Sequence, residues 1–253
     1  MEKFEITEMS VEGFAKIEKA LPEEIPLTIE VNGNELATLL ASPSHLDDMA
    51  RGFLFTSGMI TDLSEIKNLS IDPERFRVVV EVDQDLRDFV FKRIYTSGCG
   101  KGVIFHNPMD VMGKTSMDDG FEIDHGKLSS LMKQFLSRQT EYTEVGGIHG
   151  AALASPEEIY VTREDIGRHN AIDKVIGGSL AAGIDMSQVV LLSTGRVSSE
   201  IFSKVLRARI PVIAAIGAPT NQAVKLARVS NITLVARLRG NRGQIYSGEQ
   251  RIK

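Results

Sequence analysis

Cysteine is nearly missing from this sequence: among 253 residues there is one, Cys99. A single thiol excludes an intramolecular disulfide and any metal site built from cysteines alone, and it suits a reducing compartment. Long apolar runs are missing as well. No stretch reaches the roughly 18 consecutive apolar residues of a membrane span, and the opening MEKFEITEMS lacks the basic start and apolar core of a secretory leader. The expectation is a soluble, cytoplasmic chain with no membrane partner. A basic excess is also lacking. The formal net charge of −5 argues against nucleic-acid binding, which draws its affinity from neutralised phosphates; one small anion in a local basic pocket stays compatible. There is no low-complexity tract and no internal repeat. What is present is globular material, 42% hydrophobic, enough to fill the core of one large domain or two smaller ones.

Apolar spacing divides the chain. Residues 27–40 read as a hairpin, with Leu27, Ile29 and Val31 alternating up to an Asn32-Gly33 turn. A helix follows, carrying Leu46, Met49, Ala50, Phe53 and Leu54 at helical offsets, with Ser44 as its cap, Asp47 and Asp48 in its first turn and Gly58 at its end. Residues 76–83 read as a strand and 126–138 as a helix capped by Asp124. The polar, glycine-containing run 106–120 marks a domain boundary, giving an α+β unit over 1–118 and an α/β unit over 119–253. From about 148 onward short apolar strands alternate with helices: strands at 151–154, 159–162, 189–192, 212–216 and 232–238, the last of them final, and helices at 169–182, 198–208 and 220–229. That alternation is the signature of a parallel sheet covered on both faces.

The lone cysteine sits in Tyr95-Thr96-Ser97-Gly98-Cys99-Gly100-Lys101-Gly102. Glycine on each side leaves its sulfur uncrowded, and the Lys101 ammonium favours thiolate, the reactive form. The alternative is an inert cysteine that falls in a glycine turn. In open α/β sheets ligands bind at the carboxyl ends of strands, and here those ends read Ser193-Thr194-Gly195-Arg196, Gly217-Ala218-Pro219-Thr220 and Arg239-Gly240-Asn241-Arg242. Two lead into helices, whose free N–H groups favour anions, and arginine adds forked contacts to phosphate. Each turn taken singly is ordinary helix-start chemistry. A further run, Arg163-Glu164-Asp165-Ile166-Gly167-Arg168-His169-Asn170-Ala171-Ile172-Asp173-Lys174, is dense in charge at a strand-to-helix junction, with His149 just upstream. His149, Asp165 and His169 are candidates to orient groups or move protons. The competing reading has structural histidines, Asp165 near the helix start and Lys174 on an exposed face.

A zinc deaminase needs a Pro-Cys-x-x-Cys pair, and a Walker loop needs Gly-x-x-x-x-Gly-Lys-Ser/Thr; neither is present. The segments above resemble the FdhD family, accessory proteins for formate dehydrogenase. The likeness is carried by Pro26-Leu27-Thr28-Ile29, Gly52-Phe53-Leu54, Thr96–Gly100, Gly147-Ile148-His149, Arg163–Ala171, Asp173-Lys174, Ser193–Arg196, Ala218-Pro219-Thr220 and Tyr246. The resemblance implies a cytidine-deaminase-like larger domain without zinc, and a sulfurtransferase or sulfur carrier. Cys99 would take sulfur as a persulfide from a cysteine desulfurase and pass it to bis-molybdopterin guanine dinucleotide before insertion into formate dehydrogenase. It implies cofactor binding along Arg237-Leu238-Arg239-Gly240-Asn241-Arg242, joined by Thr194, Gly195 and Arg196, and a homodimer. One departure stands out. Many members carry a second cysteine three positions on, where this sequence has Gly102. A non-catalytic chaperone for the same cofactor is therefore the competing function; a nucleotide-binding hydrolase rests on fold analogy alone.

Overall fold

Residues 3–20 form a hairpin that the apolar spacing does not announce: β1 (Lys3–Ser10) pairs antiparallel with β2 (Gly13–Ala20) as a separate two-stranded sheet. The coordinates are a computed structural model that describes residues 2–83, 117 and 120–253. The hairpin read at Asn32-Gly33 follows as β3 (Ile25–Val31) and β4 (Asn34–Ala41). Both turn residues take the positive φ that a two-residue hairpin loop requires, 49 at Asn32 and 77 at Gly33. With β5 (Ile66–Asp72) and β6 (Arg77–Val82) they make a four-stranded sheet in the order β4-β3-β6-β5. Alternate residues Ile25, Leu27, Ile29 and Val31 of β3, with Val78 and Val80 of β6, are buried against Met49, Phe53 and Leu54 of α1 (Leu46–Ser57). Gly58 ends α1 at φ 87, as expected. Its start differs from the reading. His45, at φ 53, holds the cap position without a side-chain cap bond, and Ser44 lies one residue before it.

After α2 (His125–Ser137), capped as expected by Asp124, and α3 (Thr140–Val145), the second sheet begins. β7 (His149–Ala154) and β8 (Ile159–Asp165) lead to α4 (Arg168–Ala181). Then come β9 (Val190–Ser193), α5 (Ser199–Arg207), β10 (Val212–Ala215), α6 (Asn221–Val229), β11 (Thr233–Arg239) and β12 (Arg242–Ser247). The order is β12-β11-β10-β9-β7-β8. The α/β class is as expected, but the sheet is mixed rather than parallel. Parallel neighbours occur only at β9–β10 and β10–β11, while β7–β8, β7–β9 and β11–β12 are antiparallel. Loop length sets the β7–β8 and β11–β12 hairpins, and β7 lies between β8 and β9, which run in one direction. Ser155–Glu158 and Gly240-Asn241 are far too short for the crossover that parallel neighbours need. The final strand is likewise β12 and not 232–238. Its sequence, RGQIYS, is almost wholly exposed and carries no apolar alternation.

Strand alternation supplies both faces of this sheet. Ala151, Leu153, Leu191 and Ile213 pack under α4, α5 and α6, while Ala152, Ala154, Leu192 and Ala214 pack against α2. The four-stranded unit is fixed to this body by α1 crossing α4. A Cβ at Gly52 would lie 1.8 Å from the Asp173 carbonyl oxygen, and one at Gly177 2.0 Å from that of Asp48, so the two backbones touch where only glycine fits. The boundary expected within 106–120 lies outside the described residues, apart from Met117 and Gly120.

Candidate functional site

Four strands, β8 to β11, end at one edge of the six-stranded sheet, and α4, α5 and α6 start there. Ser198 and Thr220 cap α5 and α6 by accepting from the N–H groups of Ile201 and Ala223, while Gly167 starts α4 with no side-chain cap. Helix starts gathered in this way make the edge electropositive. The loops behind it are pressed together. A Cβ at Gly217 would fall 2.3 Å from the Gly195 carbonyl oxygen, and one at Gly195 would fall 2.9 Å from Arg168 Cβ.

His149, at the start of β7, places Nδ1 3.3 Å from Thr194 Oγ1, which also accepts from Gly150 N–H at 3.1 Å. Burial depresses the His149 pKa, the nearby Arg168 guanidinium depresses it further, and Asp165 partly opposes both. His169 opens α4 with Nε2 3.2 Å from Glu200 Oε2 in the first turn of α5. Burial first, then Lys204, Arg168 and His149, push its pKa down to about 3. Glu200 moves upward, chiefly through burial, with Asp173 adding to the shift and Lys204 and Arg168 opposing it. The edge therefore presents a neutral imidazole beside a carboxylate that holds its proton more readily than usual.

Thr194, Gly195 and Arg196 follow β9, beside the β10 loop: Ile216 N–H donates to the Ser193 carbonyl at 3.0 Å. The 237–242 segment lies next along the edge. Arg237 takes φ 53 at an irregularity between Ala236 and Arg239, and its N–H points to the Gly217 carbonyl at 3.4 Å. Arg239 and Arg242 face each other across the Gly240-Asn241 turn. Like charges set opposite in a hairpin repel, and an anion between them relieves that repulsion. The side chains of Arg196, Arg237, Arg239 and Arg242 are exposed, whereas Leu238 is 4% exposed in the core beneath α2.

The charged run 163–174 is built mainly into the interior. Asp165 is fully buried: Oδ1 accepts from Gly167 N–H and Asn170 Nδ2, and Oδ2 accepts from Ser42 N–H and pairs with Lys174 Nζ at 2.7 Å. Lys174 is buried, not on an exposed face, and also donates to the Ser42 carbonyl. Glu164 accepts from the first N–H groups of α3, Arg163 pairs with Asp48 at 2.7 Å, and Asp173 holds Thr56 and Lys204. Arg168 and His169 are the members that reach the edge. Cys99 and Lys101 lie outside the described residues. The sequence reading overlooked Glu200, since an acid in a first helical turn is ordinary dipole chemistry. Among the described residues no cluster of histidine, cysteine and carboxylates is arranged to hold a metal, and no helix is long and apolar enough to cross a membrane.

A layered α/β body with helix starts and arginines gathered at one strand edge, joined to a small sheet by a close helix crossing, defines the class. The sequence profile of the FdhD/NarQ family matches residues 22–253, and the chain belongs to that family. It is 38% identical over 242 residues to a protein of Geobacillus kaustophilus named sulfur carrier protein FdhD, covering 94% of this chain and 92% of that one. A protein of the same name from Staphylococcus haemolyticus is 39% identical over 235 residues, 91% of this chain and 88% of the other. The fold is also that of a crystal structure from Desulfotalea psychrophila, provisionally assigned as a formate dehydrogenase accessory protein. The two superimpose with a TM-score of 0.83 at 24% identity, over 99% of this chain and 98% of the other.

Proposed function

We propose that this chain is a sulfur carrier for formate dehydrogenase: Cys99 takes sulfur from a cysteine desulfurase and hands it to bis-molybdopterin guanine dinucleotide before that cofactor enters the enzyme. The observation that carries the reading is the match, over 94% of the chain, to a relative named as a sulfur carrier, in a sequence that holds one thiol. In the loading step the Cys99 thiolate attacks the outer sulfur of the donor persulfide. A new S–S bond forms as the donor's breaks, and the donor leaves as thiolate. In delivery the Cys99 S–S bond breaks with its electron pair returning to Cys99, and the departing sulfur takes two electrons from the acceptor metal. The strand edge suits the nucleotide part of this substrate: Thr194, Gly195, Arg196, Arg237, Arg239 and Arg242 offer N–H groups, a hydroxyl and guanidinium forks to its diphosphates. His149 and His169 stand beside it as neutral imidazoles, able to donate or accept one hydrogen bond each.

Incubation with a cysteine desulfurase and free cysteine, followed by intact mass spectrometry, tests the reading. The wild type gains the mass of one sulfur atom and the Cys99→Ser variant gains none. A folded wild type that gains nothing moves the function to the second reading, a cofactor chaperone, which the glycine at position 102 favours. Calorimetry with GDP tests the edge. Arg239→Ala and Arg242→Ala are each expected to lose roughly 1.5–3 kcal/mol, the worth of a charge-assisted hydrogen bond; unchanged affinity in both would place the nucleotide elsewhere.

A further inference from the structure

Glu200 is out of keeping with its surroundings. The edge where α4, α5 and α6 start gathers helix N-termini and arginines, and two acids near it are held by lysines: Asp165 pairs with Lys174 at 2.7 Å and Asp173 with Lys204 at 2.8 Å. Glu200, in the first turn of α5, faces an imidazole instead, with Oε2 3.2 Å from His169 Nε2. Nε2 is buried, within reach of the carboxylate but without an aligned hydrogen bond among the described residues. Contacts of this kind commonly tighten only when a ligand arrives. The His169 side chain is 19% exposed, and Nδ1 is the ring nitrogen left for a ligand. In a neutral imidazole one nitrogen donates and the other accepts, so the partner of Nε2 decides what Nδ1 offers. An ionised Glu200 takes the Nε2 hydrogen bond and leaves Nδ1 a lone pair, which opposes an anion. A protonated Glu200 donates to Nε2 and leaves Nδ1 its hydrogen, which suits one.

We propose that Glu200 is a positioning residue for the ligand of this edge: when a nucleotide diphosphate binds, Glu200 becomes protonated and holds His169 in the tautomer whose Nδ1–H donates to a phosphate oxygen. The inference rests on the reading that the edge takes the nucleotide part of the cofactor. The hydrogens balance. The Nε2 hydrogen passes to Glu200 Oε2, one solvent proton adds at Nδ1, the ring stays neutral and the pair gains one proton. The groups packed around the pair set the coupling. Burial, and Asp173 from α4, favour the protonated carboxyl, while Lys204 from α5 and Arg168 from α4 favour the ionised one. His149 faces the ring from β7, and Thr56 of α1 bonds to Asp173 and Lys204 behind it. A diphosphate at the edge offsets the two cations with its own negative charge, which tips Glu200 to the protonated form. Proton and ligand then bind together, each strengthening the other.

Calorimetry of the full chain with GDP, in HEPES and in Tris from about pH 7.5 upward, tests it. The terminal phosphate, with a pKa of about 6, is already ionised there, so any proton taken up goes to the protein. The wild type is expected to give unequal heats in the two buffers, showing uptake that approaches one proton. Its affinity should fall as pH rises, by up to about tenfold per pH unit. Glu200→Gln carries a permanent amide donor in place of the carboxylic acid; it should bind GDP with equal heats in both buffers and with affinity independent of pH. Nitrogen NMR of the wild-type His169 ring reads the tautomer without any substitution. The hydrogen should sit on Nε2 in the free protein and on Nδ1 when GDP saturates it. GDP binding with equal heats in the wild type, uptake that persists in Glu200→Gln, or a ring that keeps its Nε2 hydrogen under saturating GDP would each overturn the proposal and leave the edge reading standing. No binding of GDP at all would remove both.

Discussion

Lys174 and Asp165 lie 2.7 Å apart with both side chains fully buried. Removing one partner of such a pair strands the other charge in the interior. Lys174→Met should therefore lower the unfolding free energy by about 3–5 kcal/mol, read as a fall in urea midpoint at unchanged slope; a loss under 1 kcal/mol would mean that water reaches Asp165. The charge density of 163–174 was legible in the sequence. Its use was not, because the partners are remote: Ser42 N–H donates to Asp165 across 123 residues and the Leu40 carbonyl accepts from Asn170 across 130. His169 is a second case at this scale. Its folded pKa, about 3, lies below the ordinary 6.5. Between those values the unfolded chain binds the proton and the folded chain does not, so this histidine's contribution is whole above 6.5 and declines as pH falls towards 3. Glu200, raised in the fold, acts in the opposite direction. Ring NMR shifts isolate the histidine, and the His169 resonances should stay at their neutral positions from pH 7.5 down to 5. A midpoint near 6.5 would show that the ring is solvated.

Among elements, the α1–α4 crossing sets the tightest constraint. Helical spacing in the sequence located both helices and the glycine that stops α1. It did not reveal that Gly52 and Gly177 sit at the contact, since a mid-helix glycine usually signals only a weakened helix. Here its lost helix propensity is offset by backbone approach. Gly52→Ala and Gly177→Ala should each destabilise by about 1–3 kcal/mol or more, the range for overpacking a filled core, although alanine is the better helix former. Thermal melts that rise on either substitution would contradict the close approach. Two elements were illegible for a simpler reason. β2 and β12 are almost wholly exposed, so neither has an apolar face to write an alternation into its sequence. Loop length held the missing information for β12, as Gly240-Asn241 permits only a hairpin return.

For the whole molecule, the question is whether the four-stranded unit and the six-stranded body are separately stable. A boundary read from composition suggests that they are, while the contacts of α1 argue that they unfold together. α1 is the lid of the smaller core, yet Phe55 also packs against the larger one, Thr56 donates to Asp173 at 2.7 Å and Arg207 on α5 reaches the Ile60 carbonyl at 3.1 Å. Pulling α1 off α4 would expose both cores, break the Asp48–Arg163 ion pair and take the Thr56 hydroxyl from Asp173. Separate unfolding thus costs nearly as much as opening everything. Native-state hydrogen exchange measures this directly, since amides that open only globally share one free energy. Those of Ile29 in β3 and Leu191 in β9 should share a common value and fall by the same amount in Lys174→Met. Low protection of Ile29 that ignores the substitution would show instead a smaller unit that opens alone, with the buried ion pair serving only the larger body.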